Sequence, residues 1–297
     1  MRKISFITED NIKLDGLLYE PEILSKEIVI AVHGMSSNCF KKRDDLLASK
    51  MVKNNISYFC FNNRGHDLAV FLDKYVDGKK TKIVSGTSYE DVLDSYYDIV
   101  GAIKVILDNG YEKIHLQGHS LGSTKIIYTY NRLKNENRIE LLNKIYSVIL
   151  LSLVDIPEFQ KLYLGDKFDN ALEFANKMES ENRINELMPQ DIFGSFLTCK
   201  TFLRLSKYNQ DINFARYGDS SYNFDELNNI NVPLFMRWGN VKEMIIQSPN
   251  DLANLLKHKI NNTKINIGYI EGANHSYDGK ELILADEILK FIRNIDF

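Results

Sequence analysis

The chain has 297 residues, with 37 lysines and arginines against 40 aspartates and glutamates, and so a formal net charge of −3. With 44% hydrophobic and 26% charged residues, its composition is that of a globular protein and excludes a disordered chain. The balanced charge gives no general electrostatic reason to bind nucleic acid and leaves only a local basic patch open, and no run approaches the ~18 consecutive apolar residues of a membrane span.

The segment Met1–Asp10 turns acidic before an apolar stretch forms, so no signal peptide is expected. Cys39, Cys60 and Cys199 are odd in number and widely spaced, which argues against a disulfide framework or a structural zinc site and predicts a reducing cytoplasm. The length allows one or two domains.

In chain order, residues 2–8 and 12–19 alternate apolar and polar around Glu9, Asp10 and Asn11, the pattern of an antiparallel hairpin with one wet face. From Ile28 to Val32 the run becomes continuously apolar, as in a strand buried on both faces. Such runs recur at 56–61, 114–116, 148–154, 232–236 and 265–270. Helical spacing is clearest over 88–107, where Val92, Tyr96, Ile99, Val100, Ile103 and Ile106 recur at steps of three and four behind a Ser88/Asp91 cap. Helices are also expected near 42–53, 121–134, 249–258 and 279–293. This alternation predicts an α/β fold: a mostly parallel sheet wrapped by helices and preceded by the hairpin.

Between Asp155 and Val232 no buried strand is expected. Phe168, Leu172, Ala175 and Met178 lie at helical spacing, and a second amphipathic stretch runs from about Asp191 to Leu205. The reading is one core domain, 1–155 and 229–297, with a helical cap, 156–228, inserted between strands at the edge where ligands bind. Phe159, Tyr163, Phe168, Phe174, Phe193, Phe196, Phe202 and Tyr208 fall in this insertion. They serve helix packing, an apolar acyl or aromatic pocket, or both.

Gly118-His119-Ser120-Leu121-Gly122 fits G-x-S-x-G. A strand pattern precedes it and a helix pattern follows, the context in which a serine hydroxyl is held on a tight turn above a helix N-terminus. Upstream, Ile28–Val32 ends in His33-Gly34-Met35; Phe61-Asn62-Asn63-Arg64-Gly65-His66 follows the next strand; Gly272-Ala273-Asn274-His275 follows the last.

With these motifs the sequence resembles the α/β-hydrolase family over nearly its whole length. The resemblance implies Ser120 as nucleophile, the backbone N–H groups of Met35 and Leu121 as oxyanion donors, and His275 as general base. His33, His66 and His119 match loop positions that are structural in the family, whereas His115 and His258 read as strand and helix residues. The family's acid follows G-x-x-D, but Trp238-Gly239-Asn240-Val241-Lys242-Glu243 places Lys242 there, which accepts no hydrogen bond. Glu243, one residue on, is the first candidate acid. Asp155, at the end of the preceding strand, is the alternative, with a helix cap as its structural role; a missing acid is a third option. The stretch 237–247 is also similar to the DUF1749 subgroup, whose fungal members include siderophore esterases.

The expected activity is serine hydrolysis of an ester, or of a thioester or amide, of a small to medium substrate. Acyl transfer with the same residues and a non-catalytic binding protein are the alternatives. No cofactor or metal is implied, the partner is a small molecule, and the oligomeric state stays open. Neither G-x-G-x-x-G nor G-K-S/T occurs where a nucleotide site needs it. Cys39 reads as a small buried hydrophobe beside the site.

Overall fold

A computed structural model of the chain describes residues 1–207 and 212–295; Tyr208 lies outside the described residues. The first alternation forms β1 (Arg2–Ile7) and β2 (Lys13–Tyr19), paired antiparallel, with Ile4, Phe6, Leu14 and Leu18 buried. β3 (Glu27–Val32), α1 (Lys42–Lys53) and β4 (Ser57–Phe61) follow. A second hairpin, β5 (Val70–Val76) and β6 (Lys79–Ser85), leads to α2 (Ser95–Asp108), β7 (Lys113–His119), α3 (Leu121–Asn135), the single turn α4 (Ile139–Leu142) and β8 (Ile145–Leu151). Next come α5 (Ile156–Leu164), α6 (Phe168–Ser180), α7 (Cys199–Ser206) and α8 (Asp225–Asn228). The chain then returns through β9 (Leu234–Gly239), α9 (Pro249–Lys259), β10 (Ile265–Ile270) and α10 (Glu281–Arg293).

Eight strands form one sheet in the order β1-β2-β4-β3-β7-β8-β9-β10, antiparallel only where β2 pairs. The continuous apolar runs have two-sided burial as their cause. In β3, Ile28, Ile30 and Val32 join the core made with α2 and α3, while Val29 and Ala31 join the core made with α1 and α10. Each of the isoleucines and valines contributes about 1.5–3 kcal/mol of burial. The pairings Val32↔Gly118, His119↔Leu151, Leu151↔Arg237 and Ile270↔Gly239 bring the carboxyl ends of β3, β7, β8, β9 and β10 to one edge. The residues that leave those strands meet there, where ligands bind in open α/β sheets.

Three details depart from the sequence reading. The β5–β6 hairpin was not expected: only Leu72 and Ser85 of its residues are buried, so its alternation is faint, although Asp77-Gly78 at its tip takes the left-handed backbone of a tight hairpin turn. Before α2, Asp91 rather than Ser88 is the cap; its carboxylate accepts from Leu93 N at 3.2 Å and opens a short 3₁₀ turn, Val92–Asp94. The Ser88 carbonyl instead accepts from Thr198 N. The stretch 191–205 is helical only from Cys199, because Asp191 ties Gly194 N into a turn and Thr198 caps α7. Among the described residues, no strand lies between β8 and β9, and no helix is long and apolar enough to cross a membrane.

A buried polar chain runs beneath the carboxyl edge. Lys125 of α3 is fully buried and ion-paired with buried Glu90, and its Nζ donates to Asn63 Oδ1 at 3.1 Å. Asn63 N donates to His33 Nε2 at 3.2 Å. Lys125→Met leaves Glu90 uncompensated and is expected to cost about 3–5 kcal/mol in denaturant unfolding. The double variant Lys125→Met/Glu90→Gln should regain most of that loss. A double variant no more stable than the single one contradicts this ion-pair account.

Candidate active site

Ser120 stands alone between β7 and α3, in left-handed backbone (φ 55°, ψ −125°). A serine held there costs about 1–3 kcal/mol, so the surroundings must enforce it. Two glycines do so. A Cβ on Gly118 would lie 2.5 Å from the Gly122 carbonyl oxygen, and one on Gly122 would lie 2.2 Å from that of Val32. Ser120 N donates to the Leu151 carbonyl at 2.8 Å, tying the turn to β8. Ser120 Oγ has no hydrogen-bond partner among the described residues; it opens into a cavity of about 490 Å³ whose lining includes Met35, Leu121 and His275.

Leu121 is the first residue of α3, where a backbone N–H has no partner within the helix. Met35 follows the His33-Gly34 turn. Neither N–H donates a hydrogen bond to any described residue. His33 fixes the second of these donors from below: its Nδ1 donates to the Gly34 carbonyl at 2.9 Å while Nε2 accepts from Asn63 N. Burial, and then the Lys125 charge, hold the His33 pKa down at about 3, so the ring is neutral.

His275 Nδ1 is hydrogen-bonded to Glu243 Oε1. Lys242, directly before Glu243, adopts left-handed backbone at φ 50°. The carboxylate also accepts from Gly239 N at 2.8 Å, Met244 N at 2.9 Å and Ser152 Oγ at 2.8 Å. Burial pushes its pKa up, but the His275 hydrogen bond and charge, with the two N–H donors, outweigh it and hold the carboxyl below the ordinary range. Asp155 caps α5, accepting from Glu158 N at 3.3 Å.

Three supporting residues were not anticipated in these roles. Ser152, directly after β8 and in left-handed backbone, holds the carboxylate. His119 sends Nε2–H to the His275 carbonyl at 2.7 Å, and its ring packs 5.0 Å from that of His275. Tyr277 donates to the Arg237 carbonyl at 2.7 Å and lies 3.0 Å from Ser152 Oγ. Burial, followed by the Arg43 charge, keeps the His119 pKa well below its usual value. The adjacency of His119 to Ser120 was a sequence signal; nothing in the sequence pointed to Ser152 or Tyr277.

The other histidines lie elsewhere. His115 is buried in β7, bonded to Ser147 Oγ at 2.7 Å and Glu27 Oε1 at 3.1 Å; His66 pairs with Asp67, and His258 is on the exposed side of α9. Arg64 is spent on Asp98 and Asp10 at 2.7–2.9 Å. Among the described residues, no three His, Cys, Asp or Glu side chains gather as a metal site. Cys39 is buried in the core against α1.

The cavity has an apolar wall of Val154, Ile156, Phe193, Leu205 and Met244. Phe193 sits in left-handed backbone (φ 53°) and is braced by Phe159 and Tyr163 at ring distances of 5.5 and 4.9 Å. Phe168 and Phe202 are core residues, and Phe196 is exposed.

The chain is similar in structure to Est1E from Butyrivibrio proteoclasticus with ferulic acid bound, at 16% identity over 98% of each chain and a TM-score of 0.68. It is similar to the esterase Pf2001 of Pyrococcus furiosus, at 16% identity over 99% of this chain and 92% of that one, TM-score 0.61. A soluble variant of monoglyceride lipase from Saccharomyces cerevisiae, in complex with a substrate analogue, shares 13% identity over 96% and 93% of the two chains, TM-score 0.64. These likenesses establish the α/β-hydrolase fold. No protein-family profile and no curated protein sequence matches the chain, so the narrower likeness to the DUF1749 subgroup has no further support.

Because the Glu243 pKa lies below its ordinary 4.5, the folded carboxylate stabilises the protein above that value, and the contribution fades as the pH falls through the lowered one. Glu243→Gln is expected to destabilise the protein by about 1–3 kcal/mol at pH 7. The gap to the unsubstituted protein should shrink on acidification, read by urea unfolding at a series of pH values. A gap that widens toward acid contradicts the assignment.

Proposed function

We propose that this chain of the α/β-hydrolase fold is a serine hydrolase that cleaves an ester of a small to medium substrate through an acyl-enzyme on Ser120. One observation carries the reading: a strained serine at a strand-to-helix turn shares a cavity with two N–H groups that have no acceptor among the described residues and with a histidine bonded to a buried carboxylate. Its structural neighbours include an esterase and a monoglyceride lipase, which supports ester hydrolysis.

In this reading Ser120 Oγ attacks the ester carbonyl and His275 Nε2 takes its proton. The N–H groups of Met35 and Leu121 receive the oxyanion, aided by the positive end of α3. Glu243 orients the ring and stabilises the imidazolium. The proton passes to the leaving alcohol, and water, activated by His275, releases the acyl group. The contact between nucleophile and base closes with substrate, as such contacts commonly tighten only in the complex.

Residues 156–228 act as the cap on a core of 1–155 and 229–297; Ile156, Phe193 and Leu205 bring its apolar surface to the site. Three free, buried thiols favour a reducing compartment, the cytoplasm. The Glu243–His275 bond favours catalysis over a binding-only role.

Incubation with a fluorophosphonate probe should label Ser120, and Ser120→Ala should abolish both labelling and p-nitrophenyl ester turnover. Labelling elsewhere, or turnover that survives the substitution, overturns the reading. Glu243→Gln is expected to lower kcat by about a thousand-fold or more, against a small effect of Asp155→Asn; the reverse order transfers the acid role to Asp155. In the presence of added alcohols the free acid should remain the main product, whereas predominant ester exchange identifies an acyltransferase.

A further inference from the structure

One part of the cavity carries groups that the hydrolytic reading leaves unused. Lys41, Lys42 and Arg43 line it where α1 begins. Lys41 offers no side-chain cap, and the N–H groups of Lys42, Arg43 and Asp44 have no acceptor among the described residues. An uncapped helix start presents partial positive charge and unspent donors.

Arg43 supplies an independent sign. It is buried, at 7% exposure, yet among the described residues its Nε has no hydrogen-bond partner, and its one ion pair there, Nη2 to Asp44 Oδ2, is long at 3.3 Å. Asp44 is shared with Tyr58, whose hydroxyl donates to Oδ1 at 2.9 Å. The other buried arginines differ. Arg64 meets two carboxylates at 2.7–2.9 Å, and Arg237 donates to Glu287, Asn266 and the Met236 carbonyl. A buried guanidinium that serves only packing has its donors paired, since leaving them unmade is costly. Of the carboxylates nearby, Glu281 is held by Lys42 at 3.3 Å, and Asp278 accepts from Asn274 Nδ2 at 2.9 Å.

We propose that Arg43, the first turn of α1 and Lys41 form a subsite for a small oxyanion, a carboxylate or phosphate, carried by the substrate. The inference rests on the ester-hydrolase reading and narrows it: the preferred substrate is an ester that is also an anion. Arg43 provides the directional donor, α1 its free N–H groups, and Lys41 a solvent-facing charge.

The test uses matched esters and two variants. The unsubstituted protein should turn over the p-nitrophenyl half-ester of glutarate about 10–100-fold better in kcat/KM than p-nitrophenyl valerate, the gain of a charge-assisted contact. Arg43→Lys, which keeps the charge but loses the fork, and the fold-neutral surface change Lys41→Gln should each reduce this ratio, Arg43→Lys more. Ser120→Ala protein, titrated calorimetrically with monomethyl glutarate, methyl phosphate and methyl valerate, reads the subsite without turnover. Binding of either anion, but not of the neutral ester, supports the proposal, and the tighter anion identifies the group. Equal binding of anionic and neutral probes, or an anion preference unchanged in both variants, overturns it. If neither ester is turned over, the hydrolase reading falls, while the calorimetry still decides the subsite.

Discussion

The site depends on one close approach: the first turn of α3 lies against the end of β3 with no room for a side chain at Gly122, whose added Cβ would meet the Val32 carbonyl at 2.2 Å. Because α3 starts this close, β7 must turn within one residue, and Ser120 takes the strained backbone that lifts its hydroxyl off the sheet. The same contact sets Leu121 and the loop carrying Met35 around one cavity. Sheet register does the rest. With β3, β7, β8, β9 and β10 ending at one edge, residues distant in sequence leave their strands as neighbours.

The proposed acid, Glu243, illustrates how such a frame absorbs a local change. Lys242 adopts left-handed backbone, and the Glu243 side chain that follows it reaches the His275 ring. The carboxylate is then gripped by two N–H groups and Ser152, so that hydrogen bonding overcomes the burial that opposes its charge. His275 is fixed twice, through its ring by Glu243 and through its carbonyl by His119.

Much of this was legible in the sequence. The parallel strands were readable because two-sided burial writes continuous apolar runs, and Ser120 and His275 because their turns need glycines or follow strand ends. What escaped has physical reasons. The β5–β6 hairpin buries almost nothing and so leaves little hydrophobic pattern. Between 191 and 198, a turn held by Asp191 and Gly194 interrupts an apolar spacing that resembled a helix. Ser152 and Tyr277 act through contacts that only the tertiary fold creates. Glu243 was one of two readable candidates, since spacing alone does not reveal how Lys242 bends the chain.

The central claim is that Ser120, the His275–Glu243 pair and the Met35 and Leu121 N–H groups work as one unit. A crystal structure of the protein after reaction with a p-nitrophenyl phosphonate tests it most directly. The account predicts phosphorus bonded to Ser120 Oγ, with one phosphonyl oxygen about 2.7–3.1 Å from both backbone nitrogens. An adduct whose oxygen turns away from Met35 and Leu121, or phosphorus bonded to another residue, would contradict it.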